Sequence, residues 1–166
     1  MTRVKQITKA VILSLSLALN SYAVNVQECH HPVVKRLIDA NLEPDGVVFE
    51  LVEYDKDAWD WAAPMVESLS RQLKNKYPNI DIAIVSHGNE QFQLTQQSQQ
   101  ENQYSISILN NLNKSGVDIS VCGVNSSWNN VAHSDYIDII DVASSGPALV
   151  NDYLNLGYRR IKLQKQ

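Results

Sequence analysis

Cysteine is scarce in this chain of 166 residues, since only Cys29 and Cys122 occur. Two cysteines are too few for a disulfide scaffold, and a chain of this length can bury a core without covalent cross-links. Past residue 23, no apolar run is long enough to span a bilayer. The composition therefore predicts one globular domain rather than a membrane protein or a small disulfide-rich module.

The first residues have the order of a secretory signal peptide. Arg3, Lys5 and Lys9 precede the apolar run 11–19, and Ser21-Tyr22-Ala23 supplies small residues at the first and third places of a cleavage site. The run is too short to cross the hydrocarbon core of a membrane, because nine helical residues reach only about 14 Å. We therefore expect a signal peptide over residues 1–23, a periplasmic or secreted protein, and no membrane attachment after cleavage.

Positive charge is low, with a formal net charge of −4 over the whole chain. Cleavage after Ala23 would remove three basic residues and no acidic one, so the mature chain is still more acidic. A surface of that sign repels phosphate backbones, which excludes nucleic acid as a partner. The remaining chain divides into an N-terminal arm, residues 24–44, and one domain, residues 45–166.

Strand-like and helix-like patterns alternate along that domain. Helices are predicted over 32–42, 60–77, 104–113 and 146–156, with a short turn of helix near 127–128 and Pro64 marking a helix start or a kink. Strands are predicted over 47–52, 80–85, 117–121, 137–142 and 159–163. Residues 89–103, with seven glutamines, are expected to form a long exposed loop. Helical crossovers between strands predict a parallel five-stranded sheet with helices on both faces, a flavodoxin-like, Rossmann-like three-layer α/β fold.

Reactive residue types follow the predicted strands. In parallel sheets, ligands and reactive groups lie at the carboxyl ends of the strands. Cys122 ends the third strand, Gly123 follows it and lets the backbone turn away from the sulfur, and His87 follows the second strand. Ser145 and Gly146 open the last helix, whose N-cap is Ser144 or Ser145. Cys122 is the predicted nucleophile, and His87, Gly123, Ser145 and Gly146 are the predicted binding residues.

Other interpretations of these residues stay open. Cys122 can be a small buried hydrophobic residue, or it can form a disulfide with Cys29. The Cys29-His30-His31 cluster does not have the paired spacing of zinc motifs, so no metal site is expected and a flexible arm is the simpler interpretation. The turn after the first strand carries Glu53, Asp55 and Asp57 without a glycine, which disfavours the phosphate of a flavin or nucleotide and predicts no cofactor.

Five segments taken together resemble the DsrE/DsrF-like family in order and spacing. They are residues 47–53, the helix that contains Trp61-Ala62, and residues 82–88, 109–123 and 142–163. The similarity covers about three quarters of the chain and is specific only as a set, since a strand that ends in Cys-Gly is common; after the Cys122 motif, the final segment 142–163 is the most telling part.

The resemblance implies a flavodoxin-like fold, assembly into trimers or hexamers, and a role in handling sulfur. In relay members of the family, a cysteine at the end of the third strand accepts sulfane sulfur as a persulfide from a donor protein and passes it to an acceptor. Cys122 holds that position here. The resemblance therefore predicts a persulfide carrier in a periplasmic sulfur relay, and the alternative is a non-catalytic binding or assembly module of the same fold.

Overall fold

The computed structural model describes residues 30–41 and 43–165. The predicted signal peptide and Cys29 lie outside these described residues. Five helices occur within them: α1 Pro32–Ala40, α2 Trp59–Lys76, α3 Gln103–Lys114, α4 Gly123–Trp128 and α5 Gly146–Asn155. The strands are β1 Gly46–Leu51, β2 Asp81–Ser86, β3 Val117–Cys122, β4 Asp141–Ala143 and β5 Arg159–Lys162, and 3-10 helices cover Asn89–Leu94 and His133–Asp135.

The five strands form one sheet in the order β4-β3-β2-β1-β5, and every neighbouring pair is parallel. The strand ends are in register, because Leu51 pairs with Ser86, Ser86 with Val121, and Cys122 with Ala143. The predicted parallel five-stranded α/β sheet is therefore confirmed. The carboxyl ends of β1 to β4 meet at one edge of the sheet, as the sequence predicted.

The strand order explains why helices lie on both faces. From β1 to β4 the chain moves across the sheet one strand at a time, and from β4 it returns to the far side of β1 as β5. Because parallel crossovers are right-handed, a step in the opposite direction places its helix on the opposite face. The chain thus leaves β3 and β4 toward different faces, and such a divergence opens a crevice between two neighbouring strand ends.

Most of the core lies on the face covered by α1, α2 and α3. Side chains alternate along a strand, so Val47, Phe49 and Leu51 of β1 all point into this main core, where they pack with residues such as Trp59 and Leu69 of α2. Helix α1 joins the same layer, because the Tyr77 hydroxyl donates a hydrogen bond of 2.8 Å to the carbonyl of Leu37. We call this side of the sheet the main face.

The other side of the sheet is covered by α5, and we call it the α5 face. Its buried apolar residues are few: Val48, Ala83, Val85 and Val150. Partly buried side chains of α5 and of the turn after it, including Leu149 and Tyr158, complete the layer. Within the described residues, no helix combines the length and apolar character needed to cross a bilayer.

The first part of residues 89–103 does not form the exposed loop that the sequence predicted, whereas residues 96–102 are turns and mostly exposed, as predicted. The segment begins with the 3-10 helix Asn89–Leu94, in which Glu90 and Gln91 are fully buried and Gln93 is nearly so. For Glu90, Gln91 and Gln93 the prediction was wrong because it treated a polar composition as a sign of exposure. These polar side chains are buried because other parts of the chain supply hydrogen bonds for them.

The fourth strand also differs from prediction. The apolar residues 137–142 were predicted as the fourth strand, but only Asp141–Ala143 pairs with β3. Ile137 and Ile140 form a turn whose side chains enter the main core, so their pattern reflects burial rather than a strand. Helix α2, Trp59–Lys76, agrees with the predicted 60–77 to within one residue, and Pro64 lies inside it rather than at its start.

Candidate functional site

Cys122 lies at the last position of β3, on the α5 face. Its neighbour Val121 and Ile119 belong to the main core, so alternation points the Cys122 side chain to the opposite side of the sheet. The residue is largely buried, with 5% of its surface exposed. It is one of the residues that line a surface cleft of about 320 Å³, together with His87 and Ser145.

His87 is fixed by a carboxylate from the neighbouring strand. Its Nε2 atom lies 3.1 Å from Oε1 of Glu50, and both side chains are largely buried. An ionised carboxylate only accepts hydrogen bonds, so Nε2 carries the proton in this pair. Nδ1 is then the ring nitrogen that does not face Glu50. The second oxygen of Glu50 lies 3.8 Å from Arg160 Nη1 and 4.0 Å from Lys162 Nζ.

The beginning of α5 packs directly on His87 and Cys122. A Cβ atom at Gly146 would lie 2.5 Å from Cβ of His87 and 3.2 Å from Cβ of Cys122. The first of these distances is too short for any side chain, so only glycine allows α5 to approach this closely. Gly146 therefore brings the imidazole, the thiol and the helix start together, without itself lining the cleft.

The two remaining predicted binding residues have different positions. Ser145 lines the cleft, and its hydroxyl accepts a hydrogen bond of 3.4 Å from Ala148 N, which identifies it rather than Ser144 as the N-cap. Gly123 is not among the described residues that line the cleft. A Cβ at Gly123 would lie 2.8 Å from the carbonyl oxygen of Ala143, so this glycine allows close contact between the start of α4 and β4.

The side chain of Gln91 binds the backbone of Cys122. The sequence did not predict a role for this residue. Its Oε1 accepts a hydrogen bond of 3.1 Å from Cys122 N, and its Nε2 lies 3.2 Å from Cys122 O. One side-chain amide thus pairs with both backbone groups of the cysteine, much as a neighbouring strand would. The signal in the sequence was a Gln that follows a strand end by only a few residues, but a composition rich in Gln concealed it.

A buried polar network extends from Gln91. The Tyr136 hydroxyl lies 3.0 Å from Gln91 Nε2 and 2.8 Å from Ser126 Oγ, and Ser126 Oγ donates a hydrogen bond of 2.9 Å to Cys122 O. Burial raises the pKa of Tyr136 by more than its hydrogen bonds with Ser126 and Gln91 lower it. The tyrosine therefore stays protonated at neutral pH and can donate its hydrogen to Ser126.

Glu90 joins the ends of β1 and β2. Its carboxylate accepts hydrogen bonds from Glu53 N at 2.8 Å, from Ser86 Oγ at 2.8 Å and from Gly88 N at 2.9 Å. Burial raises the pKa of Glu90 above its ordinary value, although these hydrogen bonds act in the opposite direction. Glu90 therefore fixes the backbone that leads into the cleft, and it does not line the cleft itself.

His31, near the start of the described residues, has a structural role. His31 is the N-cap of α1, where its Nδ1 accepts from Val33 N, and its Nε2 lies 3.1 Å from the carbonyl oxygen of Lys162. His31 is thus tied to the end of β5. Among the described residues, no group of three or more His, Cys, Asp or Glu side chains is arranged to hold a metal ion. Cys29 lies outside those residues, and so does the alternative of a Cys29–Cys122 disulfide.

Comparison with known proteins supports the fold. No model of a known protein family matches the sequence, and no curated protein matches it. A solved structure of a protein of unknown function from Methanobacterium thermoautotrophicum is similar, with a TM-score of 0.57 and 22% sequence identity. The match covers 70% of this chain and 97% of that chain. At this identity the likeness concerns the fold alone.

Proposed function

We propose that this protein carries sulfane sulfur as a persulfide on Cys122, in a sulfur relay outside the cytoplasm. The observation that carries the proposal is the position of Cys122 at a strand end, in the wall of a cleft that it shares with His87. The family resemblance predicts the same residue and the same chemistry. The predicted signal peptide supports a periplasmic location.

The chemistry requires a thiolate and a route for one proton. The thiolate of Cys122 attacks an outer sulfur of a donor, a new S–S bond forms, and the bond between that sulfur and its donor breaks. The departing group takes up a proton. We assign this route to Nδ1 of His87, which bears no proton while Nε2–H faces Glu50 at 3.1 Å: Nδ1 takes the proton that the Cys122 thiol loses and returns it to the departing group.

The test is the mass of the intact protein after anaerobic incubation with a sulfane donor. We expect a gain of one sulfur atom that a reductant reverses, in the natural sequence and in Cys29→Ser, but not in Cys122→Ser. The Cys29 variant is the matched control, because it removes the only other thiol in the chain. A chain that gains no sulfur from any donor would rule out the carrier function.

The burial of Cys122 supports a second candidate, a non-catalytic binding or assembly module of the same fold. With 5% of its surface exposed, Cys122 resembles a structural cysteine as much as a reactive one. Alkylation of the native protein separates the two candidates. Rapid labelling of Cys122 supports the carrier, whereas protection until denaturation supports the module.

We also propose that the protein assembles into trimers or hexamers, as the family resemblance implies. Exposed apolar side chains away from the cleft, such as Tyr104, are the kind that subunit contacts cover. Sedimentation velocity of the mature protein tests the proposal, and a monomer at all accessible concentrations would contradict it.

A further inference from the structure

The cleft beside Cys122 has few charges and no cation. Among the described residues that line it, none is a lysine or an arginine. Glu53 is the acidic residue at its wall. The carboxylate of Glu50 is balanced by Arg160 and Lys162, which lie 3.8 Å and 4.0 Å from its second oxygen and do not line the cleft. An anionic sulfur donor would therefore meet negative charge without a basic partner, which makes its binding unfavourable.

The mouth of the same cleft is apolar. Six large hydrophobic residues are exposed within the described part of the chain, and four of them line this cleft. They are Val52, Tyr54, Val124 and Trp128, with exposed fractions of 51%, 92%, 38% and 77%. The other two, Tyr104 and Leu156, do not line it. Such a concentration of exposed apolar surface around one concave site is typical of a ligand pocket.

We propose that the cleft binds an uncharged organic polysulfide, with an apolar or aromatic body that contacts Tyr54 and Trp128. The inference rests on the proposed carrier function and names the donor class. The volume of about 320 Å³ suits a small molecule. Electrostatics excludes thiosulfate as the preferred donor, and the apolar mouth stabilises the organic groups of the ligand.

The transfer balances for a trisulfide, R–S–S–S–R. The Cys122 thiolate attacks the central sulfur, so that Cys122–S–S–S–R forms and R–S⁻ leaves. The released thiolate then attacks the sulfur that bears R, which yields R–S–S–R and leaves Cys122–S–S⁻. Two S–S bonds break and two form, the single negative charge is conserved, and no outside oxidant or reductant takes part.

The experiment compares the loading of Cys122 from dimethyl trisulfide and from thiosulfate, each normalised to its rate with free cysteine. We expect the normalised rate to favour the trisulfide by about tenfold or more. Trp128→Ala should slow loading from the trisulfide by about fivefold, because a large apolar contact is lost, and leave the thiosulfate rate unchanged. Leu156→Ala, which removes an exposed apolar side chain elsewhere, should change neither rate.

Reversing the charge of Glu53 should affect the anionic donor rather than the uncharged one. Glu53→Lys should raise the rate of loading from thiosulfate by about tenfold at low ionic strength, with little effect on the uncharged donor. Glu101→Lys makes the same change of charge at an exposed position that does not line the cleft, and it should have no such effect. Equal normalised rates for the two donors, or no effect of Trp128→Ala, would overturn the inference while the carrier function stands.

A different result is expected if the protein does not carry sulfur. If neither donor loads Cys122, binding without transfer still tests the chemistry of the cleft. Thioanisole is an uncharged aromatic thioether without an S–S bond, and benzenesulfonate is its anionic counterpart. Shifts of the Trp128 and Val124 NMR signals with thioanisole alone support a site for uncharged ligands, whereas equal shifts with both, or none with either, overturn it.

Discussion

The two faces of the sheet differ in what their side chains do. On the main face, Phe49 and Val121 join a thick apolar core beneath three helices. On the α5 face, the very next residues along the same strands are Glu50 and Cys122. Alternation of side chains therefore lets one strand serve both purposes. A carboxylate and a thiol tolerate the thin, partly exposed face, whereas an unpaired charge in the thick core would cost several kcal/mol.

The largest effect is expected when one buried apolar side chain is truncated on each face of the sheet. Phe49→Ala should lower the free energy of unfolding by about 3–5 kcal/mol, because the side chain is fully buried in the main core. Val150→Ala on the α5 face should lower the free energy of unfolding by less, about 1–2 kcal/mol, because a smaller side chain is truncated and the apolar layer around it is thinner. Denaturant titration measures both values. Equal losses would show that the two faces contribute alike to stability.

Gln91 is the next test, because it joins the buried network to the cysteine. Gln91→Leu leaves the backbone N–H and C=O of Cys122 without their partner, so we expect a loss of about 2–3 kcal/mol and faster alkylation of Cys122. Gln100→Leu changes an exposed glutamine of the same segment and should stay within about 0.5 kcal/mol. Unaltered Cys122 labelling in Gln91→Leu would mean that this amide does not position the thiol.

A substitution of Glu90 tests whether a neutral amide can replace a buried carboxylate. All three of its partners present hydrogens to the carboxylate in the observed geometry. In Glu90→Gln, the new amide NH₂ faces the N–H of either Glu53 or Gly88, so a donor meets a donor in both orientations. We expect a loss of about 1–2 kcal/mol at neutral pH, measured by denaturant titration. A stabilised variant would show that removing the buried charge outweighs the lost contacts.

The pH dependence of stability gives a separate test of Glu90. Its pKa is raised by burial above the ordinary value of 4.5, so the folded protein holds this proton more tightly than the unfolded chain does. The resulting stabilisation is fully present below about pH 4.5 and is lost as the pH rises through the raised pKa. Glu90→Gln should abolish this component of the pH profile, and a profile identical to that of the natural sequence would contradict the assignment.

The smallest expected effect concerns the close approach of α5 to the thiol. Gly146→Ala gains helix propensity of up to about 1 kcal/mol, but its Cβ would overlap His87, at a cost of about 1–3 kcal/mol. We expect a net loss of about 1 kcal/mol and altered Cys122 labelling. Gly116→Ala should cost a similar amount through backbone strain at φ +87°, with open space around it and no effect on Cys122. If Cys122 is labelled at similar rates in the two variants, Gly146 does not influence the thiol.

The fold could be predicted because its signals are local. β-branched runs such as 117–121 and helix-spaced apolar residues such as Val66, Leu69 and Leu73 each specify their own element. Crossover handedness then leaves few arrangements for five parallel strands. The boundaries of β4 were missed because Ile137 and Ile140 are buried by packing rather than by strand pairing.

The candidate site was predicted only in part. Cys122, His87 and Ser145 could be identified because each follows a strand or opens a helix, where parallel sheets collect their reactive groups. Glu50, Glu90 and Gln91 were not identified. Their roles depend on partners far along the chain, such as His87 for Glu50 and Cys122 for Gln91, and no local pattern encodes that proximity.

By itself the sequence determined the order of strands and helices, the parallel sheet, and the presence of a cysteine at one strand end. These features follow from residue periodicity and backbone propensity, which act over a few neighbouring residues. Only the tertiary structure decided that β1 lies between β2 and β5, that four polar residues of a glutamine-rich segment are buried, and that Glu50 holds His87. The reason is that burial and hydrogen bonding are set by distant partners, which a packed chain brings together and a linear pattern does not specify.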